Sequence, residues 1–241
     1  MIIIPRRIRS PLPLLLAVLL LAACSAKNSG TPPPEPEIPP HLADVLEQSA
    51  LAVERLAAKP ENAALAELLP NARAVMVFPE VTGAGIVFQG GSGRGVLTAR
   101  VGVDGGFGPP VFYKLTWLGA GVQAGFSKTS LLYLVMDDDT LDGLVENSMD
   151  LGADVRQVSG EEMARDQVAL SEALGGVVLF TDATGYELGA QVKTQLITAS
   201  RSGVRQSYGD NATMRGVALG HGAAVPGSAR PLMRALRAAS E

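Results

Sequence analysis

The sequence predicts an α+β fold. It is β-rich, with a Gly-rich antiparallel sheet, curved or barrel-like, and helices at its N-terminal and C-terminal ends. Two observations predict it. Short runs of Val, Ile, Phe and Leu between residues 74 and 136 are cut by glycine at meander spacing, with 13 glycines from Gly83 to Gly125. On either side the apolar period becomes that of a helix. Composition agrees, because 241 residues with 47% hydrophobic, 18% charged and a mean hydropathy of +0.22 suffice for a buried core.

The elements follow in order. His41–Lys59 carries Leu42, Val45, Leu46, Val53, Leu56 and Ala57 at helical spacing and is closed by Pro60. Its polar face (Asp44, Glu47, Gln48, Glu54, Arg55) is acidic, which points to packing on a core and not on lipid. A short second helix is expected over Glu61–Leu69, stopped by Pro70. Strands are expected at Ala74–Phe78, Gly85–Gln89, Gly95–Val103, Val111–Leu118, Gly121–Ser127 and Leu131–Met136. Next comes a short helix capped by Asp137, Asp138 or Asp139, with Leu141, Leu144 and Val145 facing inward. Further strands are expected at Asp154–Val158, Val177–Phe180, Tyr186–Val192 and Gln195–Thr198, then a terminal helix over Ala229–Ala239. VMVFPEVTG (75–83) is echoed by VVLFTDATG (177–185), which predicts two similar hairpins in one sheet.

Ahead of this domain stands an address. Arg6, Arg7 and Arg9 precede the apolar stretch Leu12–Ala23, which is too short to span a bilayer. The stretch ends Leu21-Ala22-Ala23-Cys24, which resembles a bacterial lipobox around the sole cysteine. Residues 1–23 then read as a lipoprotein signal peptide, and the resemblance implies a diacylglycerol and a further acyl chain such as palmitate on Cys24. Ser25 after the cysteine resembles the pattern forwarded to the outer membrane, facing the periplasm, in bacteria with two membranes. Residues 24–40 form a Pro-rich tether with six prolines in the last nine positions. In polyproline geometry it reaches on the order of 40–50 Å. The domain itself is expected over residues 41–241.

Several chemistries find no support. One Cys and two His, His41 and His221, exclude a disulfide framework and leave little for a metal site or a His-assisted nucleophile. Gly90–Gly95 lacks the Lys-Ser/Thr of a phosphate-binding loop, and no G-x-S-x-G elbow occurs. Asp138, Thr140, Asp142 and Gly143 begin like a calcium loop, but Met149 stands where a bidentate Glu is needed. The net charge of −4, or −7 without the three arginines of residues 1–23, argues against nucleic acid. The expectation is a non-enzymatic protein with no cofactor, no metal and no catalytic residue.

Charge is sorted along the chain. Arg94, Arg100, Lys114 and Lys128 face Asp104 alone between Val81 and Thr129, a net of +3. Leu131–Glu172 is an acidic belt of net −9, and Lys193–Ser240 is basic at +6. The four bases of the Gly-rich sheet are the expected lipid-binding residues, with Arg94 and Arg100 on one face by strand alternation.

The order of motifs resembles the SYLF family of lipid-binding domains over about Leu42 to Leu236. The matching stretches are the Ala-rich strand Ala72–Phe78, the G-x-G-x-x-x-x-R segment Gly93–Arg100, Pro110–Tyr113, the G-x-Q-x-G of Gly121–Gly125, Leu131–Met136, Val177–Val192 and Ser207-Tyr208-Gly209. Departures are Gly105-Gly106-Phe107-Gly108 where a Trp is usual, Tyr186-Glu187-Leu188-Gly189 in the second half, and a polar tip at Glu161–Asp166. The resemblance implies the fold and a general affinity for membrane phospholipid. Phosphoinositide binding and actin regulation belong to its eukaryotic members. The leading expectation is an exported, lipid-anchored phospholipid-binding protein. The alternative is a structural adaptor for a protein partner or cell-wall component, and a hydrolase comes third.

Overall fold

The chain enters the fold six residues ahead of His41, because the packed unit begins at Glu35. Ile38 is buried against the helices, and Arg230 pairs with Glu35 at 3.3 Å. The computed structural model describes residues 35–85, 88–102, 105–120, 125–146, 149–150, 155–157, 176–182 and 195–241. Cys24, the expected strand Tyr186–Val192 and the polar tip Glu161–Asp166 lie outside the described residues.

Helix α1 (Pro40–Ala57) opens on a proline, whose fixed φ suits a first helical turn. The carbonyl of Pro39 accepts the N–H groups of Leu42 and Ala43 at 2.9 Å each. Leu42, Leu46, Ala50, Val53 and Leu56 make its buried stripe. A 3-10 turn at Pro60–Asn62 and the short helix α2 (Ala64–Leu68) replace the single second helix that the period suggests.

The sheet follows as β1 (Ala74–Gly85), β2 (Phe88–Val101), β3 (Gly106–Phe107), β4 (Val111–Ala120) and β5 (Gly125–Val135). Then come α3 (Asp138–Glu146), β6 (Met149–Asp150), β7 (Val155–Gln157), β8 (Val177–Thr181) and β9 (Gln195–Ala199). Helices α4 (Arg201–Tyr208), α5 (Met214–Ala218) and α6 (Arg230–Ala238) complete the chain. Asp137 caps α3, accepting the N–H of Thr140 at 2.7 Å. Spatial order is β6-β9-β4-β2-β1-β5-β8-β7, with β3 beside β2, and every pair is antiparallel except β7 with β8. The α+β class and the Gly-rich antiparallel sheet between terminal helices are as the sequence predicts.

The sheet curls without closing. Strands β9 and β5 are four spacings apart, about 19 Å in a flat sheet. Yet the Tyr133 hydroxyl on β5 donates to Gln195 Oε1 on β9 at 2.5 Å. The edge strands β6 and β7 are likewise joined by only four residues, 151–154. A chain of that length spans at most about 18 Å. Seven flat spacings would cover about 34 Å. No pairing joins β6 to β7 among the described residues.

Both faces are buried over much of their area. On the outer face Val75, Val77, Val96, Phe112, Leu132 and Leu134 pack with Leu46, Val53, Leu65, Leu232 and Leu236 of the flanking helices. On the inner face Met76, Phe78, Leu97, Tyr113, Trp117 and Tyr133 pack with Leu144, Val204 and Val217. A bulge at Pro79 shifts the register of β1 against both neighbours. The echoed segments do not pair with each other but flank β5. Phe78 sits opposite Leu131 and Phe180 opposite Leu132, so the two rings face opposite sides.

Candidate functional site

The helices cover only part of the outer face. Beyond them, where β1, β2, β4 and β9 run on, strand alternation brings Leu118, Thr116 and Lys114 of β4 to the same side. Register places Lys114 opposite Arg94 on one flank and Thr198 on the other, and Thr116 opposite Leu196. Leu118 is 66% exposed and Leu196 51%, two of only three large apolar side chains so exposed among the described residues. Lys114, Arg94, Ser92, Thr116 and Thr198 are exposed around them.

Arg94 and Lys114 are direct cross-strand neighbours with no ion pair or hydrogen bond among the described residues. Like charges placed so destabilise a sheet by some tenths of a kcal/mol, of the order of 0.2–1. Glu80 stands opposite Arg94 on the other flank, but its carboxylate pairs with Lys128. Two of the four sequence-predicted bases, Arg94 and Lys114, therefore share one transverse row, while Lys128, opposite Thr82 in the next row, is neutralised by Glu80.

Arg100 is a different case. Alternation does place it on the face of Arg94, about 20 Å away along the strand. Its guanidinium donates to the carbonyls of Ala72, Leu69 and Gly105 and lies 4.5 Å over the Phe107 ring. Partial burial, with Arg73 nearby, lowers its pKa from the ordinary arginine value. These contacts tie the turn after α2 to β2 and β3 and leave Arg100 little capacity for a ligand.

Beside Arg94 and Lys114 lies a cleft of about 190 Å³, whose wall includes His41 of α1 and Ser200, Ser202 and Gln206 around the start of α4. Phe112 and Gly203 also line it, and none of its lining residues is acidic. Both helices present their first turns here, and neither first turn holds an acid. Ser200 caps α4, accepting the Gly203 N–H at 3.4 Å. A β-carbon on Gly203 would come within 2.9 Å of that hydroxyl. Sequence reading missed His41, Ser202 and Gln206 as neighbours of the bases, since the sheet register that joins them is non-local. The Ser200 cap was the readable signal of α4. Leu118 and Leu196 were readable as apolar residues in otherwise polar alternation.

Among the described residues, no group of three or more His, Cys, Asp or Glu converges as a metal site would. No helix there is long and apolar enough to cross a membrane.

Comparison with known proteins adds a family. The Ysc84 profile, described as "Las17-binding protein actin regulator", matches residues 116–239. Protein YSC84 of Saccharomyces cerevisiae is 29% identical over 157 residues, covering 64% of this chain and 33% of the relative. LAS seventeen-binding protein 3 of the same yeast is 27% identical over 174 residues, 70% of this chain and 37% of the relative. The chain thus spans about a third of the length of these curated relatives. No solved structure gives a significant match.

Proposed function

Because the chain belongs to the Ysc84 family of SYLF domains, we propose that it is a non-enzymatic, lipid-anchored envelope protein whose uncovered sheet face rests on phospholipid. One observation carries the reading: exposed Leu118 and Leu196 share a face with Arg94 and Lys114, which are unpaired among the described residues. Apolar tips suit the acyl boundary, and cations one step back suit headgroup phosphates.

Magnitudes say how such a face would be used. Full burial of a leucine contributes about 1.5–3 kcal/mol, so two part-exposed ones recover roughly 2–3 together. Each cation near an anionic surface adds about 1 kcal/mol. The sum, about 4–5 kcal/mol, corresponds to a near-millimolar affinity. That is too weak to recruit a free protein, and it suits a domain already held at the surface. Acyl chains on Cys24 and the Pro-rich tether supply that hold by raising the effective concentration. Ser25 favours the outer membrane, facing the periplasm, where the organism has two membranes.

Vesicle flotation with the segment 35–241, which lacks the anchor, tests the reading. Weak, salt-sensitive binding to phosphatidylglycerol vesicles is expected. A Leu118→Asp/Leu196→Asp variant should abolish it, and Arg94→Gln/Lys114→Gln should weaken it roughly thirtyfold, as two lost cations imply. Equal binding by all three proteins, or none by the unaltered one, overturns the proposal. A second reading, an adaptor for a protein partner, is favoured by the yeast relative named for binding LAS seventeen. Vesicle binding indifferent to both variants would move the assignment there.

A further inference from the structure

The solvent sides of the two outer helices carry charge of both signs, sorted by helix. Along α1 the exposed positions hold Asp44, Glu47 and Glu54, with Leu51 between the two glutamates. Leu51 is 42% exposed, the third such large apolar side chain among the described residues, and it stands on α1 and not on the sheet with Leu118 and Leu196. Along α6 the exposed positions hold Arg230, Arg234 and Arg237. The two helices pack side by side, yet no acid of α1 pairs with an arginine of α6 among the described residues. Arg230 has only its exposed pair with Glu35, and Arg234 and Arg237 have no ion pair among the described residues. Arg55, a base within α1, is drawn off to Ser130 Oγ of β5 at 3.1 Å.

We propose that this surface is the two-fold interface of a homodimer, in which the acidic row of α1 in one copy lies along the basic row of α6 in the other, and the reverse. The sign pattern selects the occupant. A partner of one sign is attracted by one helix and repelled by its neighbour, whereas a second copy turned through a half-circle presents arginines to the acids and acids to the arginines. Spacing agrees. Glu47 and Glu54 are seven residues apart, and so are Arg230 and Arg237. Both pairs span about 10.5 Å along their helices, so the charges match whichever way the helices run. Arg234 falls between its two arginines as Leu51 falls between the glutamates. The aliphatic stem of an arginine covers apolar surface while its charged head stays in water. The charge pairs are exposed, so the dimer is weak and salt-sensitive. It uses neither Leu118 nor Leu196, and it stands whether or not that face meets lipid.

The test is sedimentation equilibrium of the full chain in density-matched, uncharged detergent micelles, where any anchor is already satisfied. A reversible monomer–dimer equilibrium is expected at low salt, weakened about tenfold or more at roughly 0.5 M salt. Glu47→Gln/Glu54→Gln removes four pairs by symmetry and should weaken the dimer about thirtyfold. Glu47→Arg/Glu54→Arg and Arg234→Glu/Arg237→Glu should each be monomeric alone, with thermal transitions like that of the unaltered chain. An equimolar mixture of the two should recover the dimer, because each then meets the opposite sign on both helices. An unaltered chain that stays monomeric at low salt, a dimer that survives either reversal, or a mixture that remains monomeric overturns the interface. If either reversal lowers the thermal transition, the glutamine variant and the salt response decide the case.

Discussion

Tyr133 on β5 reaches across the inside of the curled sheet and donates its hydroxyl proton to Gln195 on β9, a strand with which it shares no ladder. Both side chains are buried, and the Gln195 amide nitrogen has no partner among the described residues. Its cross-strand neighbour Trp117 has an indole nitrogen likewise unpartnered among the described residues. Among the described residues, the Tyr133–Gln195 hydrogen bond is the one that these three buried groups make, and such groups are expensive to leave unpaired.

Tyr133→Phe strands the whole Gln195 amide in that interior. The expected loss is about 2–3 kcal/mol of unfolding free energy, measured by urea denaturation at unchanged slope. Adding Gln195→Leu should recover part of it, because replacing both partners by apolar groups costs less than orphaning one. A double variant less stable than Tyr133→Phe alone would refute the argument.

Burial raises the pKa of Tyr113, Tyr133 and Tyr208 well above the ordinary value of 10. The unfolded chain then loses these protons first as pH rises through 10, so stability is intact below that point and falls above it. Each tyrosine contributes a slope of about 1.4 kcal/mol per pH unit. Ultraviolet titration should show these phenols ionising together with loss of structure. Reversible ionisation near pH 10 in the folded protein would contradict it.

Trp117 lies across the glycines of two neighbouring strands. A β-carbon on Gly83 would sit 2.2 Å from its ring, and one on Gly91 would sit 2.3 Å from its nitrogen. Gly83→Ala should therefore destabilise by about 1–3 kcal/mol through overpacking. In a Trp117→Leu background the same change should cost much less. Equal costs in both backgrounds, measured by thermal melts, would show that the indole is not the obstacle.

Starting the domain at His41 removes Ile38 from the core and the Pro39 carbonyl from the head of α1. Losing the isoleucine alone forfeits about 1.5–3 kcal/mol. A segment 41–241 should therefore melt roughly 5–10 °C below a segment 35–241. Coincident transitions would place the boundary back at His41.

Much of the sheet was legible because its core residues alternate or run apolar in the way strands require. Val111–Leu118, Leu131–Met136, Val177–Phe180 and Gln195–Thr198 fall on β4, β5, β8 and β9 within a few residues. Glycine misled where it served packing. Gly90, Gly91, Gly93 and Gly95 read as breaks, yet all lie within β2, where bulky neighbours leave no room for a side chain at Gly91 and Gly95. Six expected strands of the meander are thus four long ones with a two-residue β3 beside them. Helix α4 escaped notice because its Arg, Ser and Gly content gives no apolar stripe. For the site, charge sorting found Arg94 and Lys114, but sequence had no means of separating them from Arg100. Only the carbonyls of Leu69, Ala72 and Gly105 show that Arg100 is already spoken for.

The narrow ends of the sheet bear on how such molecules behave when crowded. Strand polymerisation needs a long, straight edge with unused backbone donors and acceptors. Among the described residues the outermost strands are two and three residues long, and only four residues separate them in the sequence. A neighbour seeking to extend the ladder finds little to register against among the described residues. The curl therefore guards against edge-to-edge aggregation at high local density, the condition that acyl anchoring in a bilayer plane would impose.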